Sequence, residues 1–358
     1  MKVANETLLT PAEVWSEKIY SSGWKKPGLG TTDVIEKATG AKLGEAGIAS
    51  AEDISAAAAA ARQAQQQWTR LTGPKRGDVL REVSRLLLAH SGEIADQLVR
   101  ETGSIRAKAQ WEVQITAREF LEAASLGSQP RGVLTATLED GQQSSARRIP
   151  LGVIGIITPW NSPLILAARA VAPALAMGNA VILKPDVQTP IVGGVVFARL
   201  LEKAGLPNGL FHVLPGAAET GDALVKEPLI NMISFTGSTR VGRQVGSIAS
   251  GLLKRVSLEL GGNNPYVVLD DADIEAAAGA GAWGSFFHQG QICLTGGRHI
   301  VHERIAEAYV KALVRKAKAL VVGDPFDEKV QVGPTVTSGR PLMSSGSSLK
   351  QSPRVGKF

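Results

Sequence analysis

Between residues 151 and 260 short apolar runs alternate with helix-length segments, and no other feature of the chain narrows its fold as much. Residues 153–158, 180–183, 210–214, 232–235 and 255–260 read as strands, with helices over 164–177, 190–204, 218–226 and 240–250 between them. Breakers mark the joints: Gly178-Asn179 closes the first of these helices, and Gly205 with Pro207 stops the second. Such alternation implies an α/β fold built on an open parallel sheet with helices over both faces. Sheets of this kind collect ligands at the carboxyl ends of their strands.

The region before residue 151 is of a different kind. The first fifty residues read as strands and turns. Ser50-Ala51-Glu52-Asp53 reads as a helix start, with Ser50 as cap and Asp53 three residues on, and the alanine-rich stretch 56–61 continues it. Pro74 opens a further helix, in which Val79, Val83, Leu86 and Leu87 share an apolar face. Thr102-Gly103 ends that helical region, and another helix is expected over 107–124. Residues 127–150 are polar and β-prone, as a bridging hairpin would be. Beyond 334 the chain becomes rich in Ser and Gly without an apolar period, and is expected to be disordered. The expected domains are therefore 1–126 with 151–259 as one sheet-based unit, 127–150 as a bridging and oligomerisation hairpin, 260–334 as the start of a second α/β domain, and 335–358 as an atypical tail.

Composition sets limits on function. A chain of 358 residues with 44% hydrophobic residues is long enough for two domains. Its formal charge of +6 suggests nucleic acid only at first sight. Arg340, Lys350, Arg354 and Lys357 supply four of those charges within 335–358, where no acid occurs, so the remainder carries just +2. No nucleic-acid role is expected. No segment is long and apolar enough to span a bilayer, and none has the form of a signal peptide. A single cysteine excludes an internal disulfide, fits a reducing compartment, and makes a cytoplasmic location the expectation.

Four polar groups stand at expected strand ends: Trp160-Asn161, Lys184, Gly237-Ser238 and Glu259. Gly237-Ser238-Thr239-Arg240-Val241-Gly242 follows a strand and opens a helix, where free N–H groups favour a phosphate. The bland alternative, a turn capped by a serine, stays open from local sequence alone. Taken singly, Lys184 reads as a solvated lysine at a strand end and Asn161 as an asparagine satisfying its own turn. Glu259 closes an apolar strand, where partial desolvation would make it more basic, although an arbitrary glutamate is more often an ion-pair or turn carboxylate. Cys293 lies in Gln289-Gly290-Gln291-Ile292-Cys293 and precedes Thr295-Gly296-Gly297. Free cysteines are more often inert core, but a polar, glycine-rich turn is a poor core site and a good one for exposing sulfur. Among the five histidines, His299 and His302 are three apart with no second cluster to complete a metal site, so no metal is expected. None of them is assigned to catalysis, with only a minor tuning role left to His288.

Pro159-Trp160-Asn161, Lys184-Pro185, Phe235-Thr236-Gly237-Ser238-Thr239, Glu259-Leu260-Gly261-Gly262 and Gly290-Gln291-Ile292-Cys293 together resemble the aldehyde dehydrogenase superfamily, over about residues 15–334. Within it, the stretches at 184–189, 260–264 and 282–290 are most similar to benzaldehyde dehydrogenase and related oxidisers of aromatic aldehydes. The resemblance implies a Rossmann-like cofactor domain followed by part of a catalytic domain. It implies oxidation of a small-molecule aldehyde with NAD or NADP, with Cys293 as nucleophile, Asn161 and the Cys293 N–H holding the oxyanion, and Glu259 activating water. Lys184 would bind the adenosine ribose, Ser238 and Trp160 the pyrophosphate, with Gly237 and Gly242 shaping that turn. Val187 stands where many NAD-preferring members carry a glutamate, so NADP use is expected alongside NAD.

The family pattern stops after Val332-Gly333-Pro334. The segment expected to contact the nicotinamide ribose is missing, as is the C-terminal arm that completes the family's homo-oligomers, and 335–358 reads like an out-of-frame translation. A frameshifted or truncated product, weaker than a full-length relative, is the expectation. Two other readings stay open: a catalytically dead fragment with a binding role or none, and a dehydrogenase that passes its acyl group to coenzyme A, against which Glu259 speaks.

Overall fold

The computed structural model describes residues 7–337; most of the stretch from 335 onward read as a tail lies outside them. The elements run, in chain order, β1 (Ile19–Ser21), β2 (Trp24–Lys25), β3 (Thr31–Ile35), β4 (Lys42–Gly47), α1 (Ala51–Trp68), α2 (Gly73–Ala89), α3 (Ser91–Thr102), α4 (Arg106–Leu126), β5 (Gly132–Thr135), β6 (Ser144–Arg147), β7 (Val153–Ile157), α5 (Pro163–Ala176), β8 (Ala180–Lys184), α6 (Val196–Lys203), β9 (Phe211–Val213), α7 (Ala218–Lys226), β10 (Ile230–Gly237), α8 (Thr239–Gly251), β11 (Arg255–Leu260), β12 (Pro265–Val268), α9 (Ile274–Phe286), β13 (Arg298–Val301) and α10 (Ala306–Lys318). They form two compact units: 7–34, 44–95 and 110–260 make one, and 35–43, 96–109 and 261–337 the other. Among the described residues no helix is long and apolar enough to cross a membrane.

The first unit is built on a seven-stranded sheet of order β11-β10-β7-β8-β9-β1-β2. The five strands from β11 to β9 run parallel, in four neighbouring pairs, as the alternating sequence requires. β1 and β2 add an antiparallel edge that a three-residue strand gave no reason to expect. Its join is specific. Ser21 lies opposite His212 of β9 and their side chains meet at 2.8 Å, while His212 Nε2 donates to Gly209 O at 2.9 Å. One face carries α1, α7 and α8; the other carries α5 and α6, with α2 behind them. Val153–Ile157 and Ala180–Lys184 are buried throughout, since helices cover both faces of a central strand.

Local chemistry explains the element ends. Ser50 and Asp53 form a complete capping box on α1. Trp68 Nε1, Gln65 Nε2 and Arg76 Nε donate to Leu175 O, Gly178 O and Ala176 O, so the carbonyls at the end of α5 are closed by side chains from α1 and α2. Some expectations need correction. The helical stretch from Pro74 to Thr102 breaks at His90 into α2 and α3, and Leu80 is buried on α2 where Val79 is half-buried. The helix expected over 190–204 begins as a π-helical turn, Ile191–Val195. There Gly193 and Gly194 approach Pro185, leaving no room for a Cβ at Gly194. β5 and β6 form the expected hairpin, and every residue of both strands is exposed.

The second unit holds a two-stranded parallel sheet, β12 with β13, packed by α9 and α10. Val268, Ala278, Tyr309 and Ala312 form its core. His299 is absorbed there: its ring nitrogens meet Tyr309 OH at 2.6 Å and Ser285 Oγ at 2.8 Å. His302 caps the following turn by accepting from Arg304 N. No cluster of metal-ligating side chains occurs among the described residues.

Candidate active site

The carboxyl ends of β7, β8 and β10 open onto a cleft of about 910 Å³, bordered by α7 and α8. That volume lies in the upper range of small-molecule sites. Trp160, Lys184, Gly237 and Ser238 all line it, so four strand-end residues from three separate segments share one cavity.

Lys184 is buried, which overturns the solvated-lysine reading taken from its position alone. The reason is α7, which passes close by: an alanine Cβ at Gly221 would sit 3.6 Å from Lys184 Cε. The ammonium donates to Gly216 O and to Pro185 O. Burial lowers its pKa from the ordinary lysine value, and the charge of Asp186 opposes that fall. A lysine held by carbonyls at a cleft wall can exchange them for ligand oxygens at little desolvation cost.

Gly237 is the last residue of β10, and Ser238 caps α8 by accepting from Val241 N at 3.4 Å. The serine is thus a cap, and the helix start that it closes lies on the cleft. Gly242 plays a different part. It is buried and lines no part of the cleft; a Cβ there would run into Leu260 of β11, so its bareness lets α8 pack on the sheet.

Asn161 is half-buried, one residue beyond the cleft-lining Trp160 and two before α5. Glu259 pairs in register with Thr236 and is exposed. The desolvation expected of it is absent, because β11 is the edge strand of the sheet and presents its residues half-covered at best. Sequence reasoning missed Gly216, Asp222 and Arg243, which also line the cleft. Pro215-Gly216 follows β9 at the same sheet edge, so the strand-end rule that found Lys184 extends to it.

In the second unit Cys293 is exposed and forms no disulfide. The turn before it is conformationally costly: His288, Gln289 and Gly290 have φ of 50°, 58° and 67°, three left-handed residues in a row, of which only the glycine is free of strain. Polar bonds hold it. Gln289 Nε2 donates to Gly103 O at 3.1 Å, Thr295 Oγ1 to Gly290 O at 2.9 Å, and Asn264 Nδ2 to Cys293 O at 2.7 Å. Gln291 is buried and accepts from Val336 N. The result is a braced loop that presents a thiol. His288 is buried beneath it, 3.5 Å from Ser104 Oγ. Trp283 and Phe287 stack with centroids 5.0 Å apart at the end of α9, and Trp283 is exposed.

The profile of the aldehyde dehydrogenase family matches residues 24–341. A vanillin dehydrogenase from an Amycolatopsis species is 50% identical over 324 residues, which cover 90% of this chain and 66% of that protein. A benzaldehyde dehydrogenase [NAD(+)] from Pseudomonas putida is 46% identical over 323 residues, with the same coverage of 90% and 66%. The crystal structure of a NAD-dependent benzaldehyde dehydrogenase from Corynebacterium glutamicum superposes with a TM-score of 0.87 at 39% identity, covering 93% of this chain and 72% of that one. The chain thus spans just under two thirds of the length of the two curated relatives. It belongs to the aldehyde dehydrogenase family.

Proposed function

We propose that this chain carries the machinery for oxidising an aldehyde, an aromatic one, to its carboxylic acid with NAD or NADP. The observation that carries the reading is the cleft that gathers Trp160, Lys184, Gly237 and Ser238 at one sheet edge. Its volume, its buried lysine and its helix start fit a dinucleotide, whose ribose and phosphates these groups would hold. The chemistry that cofactor supplies when bound is acceptance of a hydride.

This chain's own residues do the rest. Cys293 Sγ, as thiolate, adds to the carbonyl carbon and forms a thiohemiacetal. The Asn161 side-chain N–H and the Cys293 backbone N–H hold the resulting oxyanion, each donor worth about a hundredfold in rate. After hydride loss a thioester remains on Cys293. Glu259 takes a proton from water, whose oxygen attacks the thioester, freeing the acid and restoring the thiol. Exposure of both Cys293 and Glu259 leaves each open to a substrate or water. The names of the relatives and the exposed Trp283–Phe287 stack in the segment leading to Cys293 support an aromatic aldehyde.

The test is formation of reduced nicotinamide from benzaldehyde and NAD or NADP by the purified chain, with Cys293→Ala as control. Product formation that Cys293→Ala abolishes is expected; formation that survives the substitution, or none from the unaltered chain, overturns the reading.

A further inference from the structure

α5 starts two residues after Asn161, and its first turn lacks a local cap. Ser162 occupies the cap position without a side-chain hydrogen bond, and Pro163 has no N–H to offer. The helix ladder begins with Leu166 N donating to Ser162 O. Two orphan donors are left, Leu164 N and Ile165 N. Both go to one atom: Glu112 Oε1 of α4 accepts them at 2.9 and 3.3 Å. Glu112 is completely buried. A carboxylate so placed is costly unless main-chain donors and a helix dipole compensate it, and the start of α5 provides both. The opposite end of α5 is tied with the opposite charge, by buried Arg76. α5 is therefore pinned at both ends by ionisable side chains from neighbouring helices, and its first turn cannot shift without breaking these two bonds to a buried carboxylate.

We propose that Glu112 is a positioning residue for Asn161: by fixing the first turn of α5 it fixes the backbone from which the Asn161 amide reaches the oxyanion. This rests on the role assigned to Asn161 above. Oxyanion donors are sensitive to displacement, since their worth depends on a preorganised distance, whereas binding of the neutral aldehyde is not. Loss of the Glu112 contacts should lower the rate of chemistry with little change in KM.

The experiment compares Glu112→Ala and Glu112→Gln with Ser84→Ala in the full chain. Ser84 ties α2 to α4 through a buried bond to Ala117 O, so its loss loosens α4 without touching α5. Two readouts are taken: the side-chain amide cross-peak of Asn161 in a 15N spectrum, assigned by its disappearance in Asn161→Asp, and the pre-steady-state burst of reduced nicotinamide with benzaldehyde. In Glu112→Ala the cross-peak should move or broaden and the burst slow by about tenfold to a hundredfold, with KM within about threefold. Glu112→Gln keeps an acceptor oxygen and should restore the burst to within about tenfold of the unaltered chain. Ser84→Ala should leave the cross-peak in place. If Glu112→Ala does not fold, Glu112→Gln decides, through a smaller shift of the same cross-peak. An unmoved Asn161 signal in the Glu112 variants, or an equal shift in Ser84→Ala, overturns the proposal. If the unaltered chain gives no burst, the function proposed above fails, and the Asn161 signal alone decides the role of Glu112.

Discussion

Lowering the pH should unfasten β1 from the sheet through one histidine. His212 is fully buried on β9, and Gly209 O, which can only accept, assigns the ring proton to Nε2. Nδ1 then accepts from Ser21, the residue opposite it on β1. Burial pushes the His212 pKa down from 6.5 to about 4; the Gly209 carbonyl works against that fall and nearby Lys25 adds to it. In the unfolded chain the same ring titrates near its ordinary value, about 6.5. Between the two values the unfolded state binds the extra proton, so stability drops as pH falls from about 6.5 to about 4 and levels off below. At about 1.4 kcal/mol per pKa unit the full loss is about 3 kcal/mol, of which roughly 2 should be present by about pH 5. That corresponds to a fall in Tm of several degrees for a unit of this size, on the order of 2–4 °C per kcal/mol. Urea unfolding followed by tryptophan fluorescence at a series of pH values measures it. His212→Asn supplies the reference, because an amide keeps a donor and an acceptor but takes up no proton. Subtracting its pH profile cancels the carboxylates that also titrate over this range. Profiles that run parallel for the two proteins would show that the ring does not carry this term.

Other expectations concern the cleft and its packing. Val187 lines the cleft and brings no carboxylate to it, so kcat/KM with NAD should exceed that with NADP by less than about a thousandfold. Val187→Glu should raise that ratio by at least about tenfold by repelling a 2′-phosphate, and steady-state kinetics with both nucleotides would reveal a ratio that fails to move. Two glycines of α8 should respond oppositely to alanine. Gly242→Ala forces Leu260 aside and should cost about 1–2 kcal/mol, whereas Gly251→Ala meets open space and should gain up to about 1 kcal/mol from helix propensity. Denaturant midpoints of the two variants check this, and a shift in the same direction for both would refute the packing account of Gly242.

What the sequence made legible was whatever short-range chemistry determines. The Ser50–Asp53 box, the helix ends at Gly178 and Gly205, and the strands that deliver Trp160, Lys184 and Gly237 each follow from a few adjacent residues. Cys293 stood out for a similar reason, since no buried environment suits a turn so polar and so rich in glycine. The misreadings at the site concern relations between distant segments. Whether Lys184 is wet or buried is decided by α7, over thirty residues away, and whether Glu259 is desolvated by the place of β11 at the sheet edge. Gly242 resembles a phosphate-turn glycine locally, yet the atom that requires it belongs to Leu260. Glu112 is the extreme instance. On its own helix it is one acid between Trp111 and Val113, and its meaning lies fifty-two residues on, at amides that Pro163 and Ser162 leave uncapped. The missing cap is not visible in sequence, because Ser162-Pro163 reads as an ordinary helix start and only the backbone at Ser162 shows that the serine makes no cap bond. The donors behind that proline therefore need a partner from elsewhere, and a buried carboxylate is the partner that helix polarity favours.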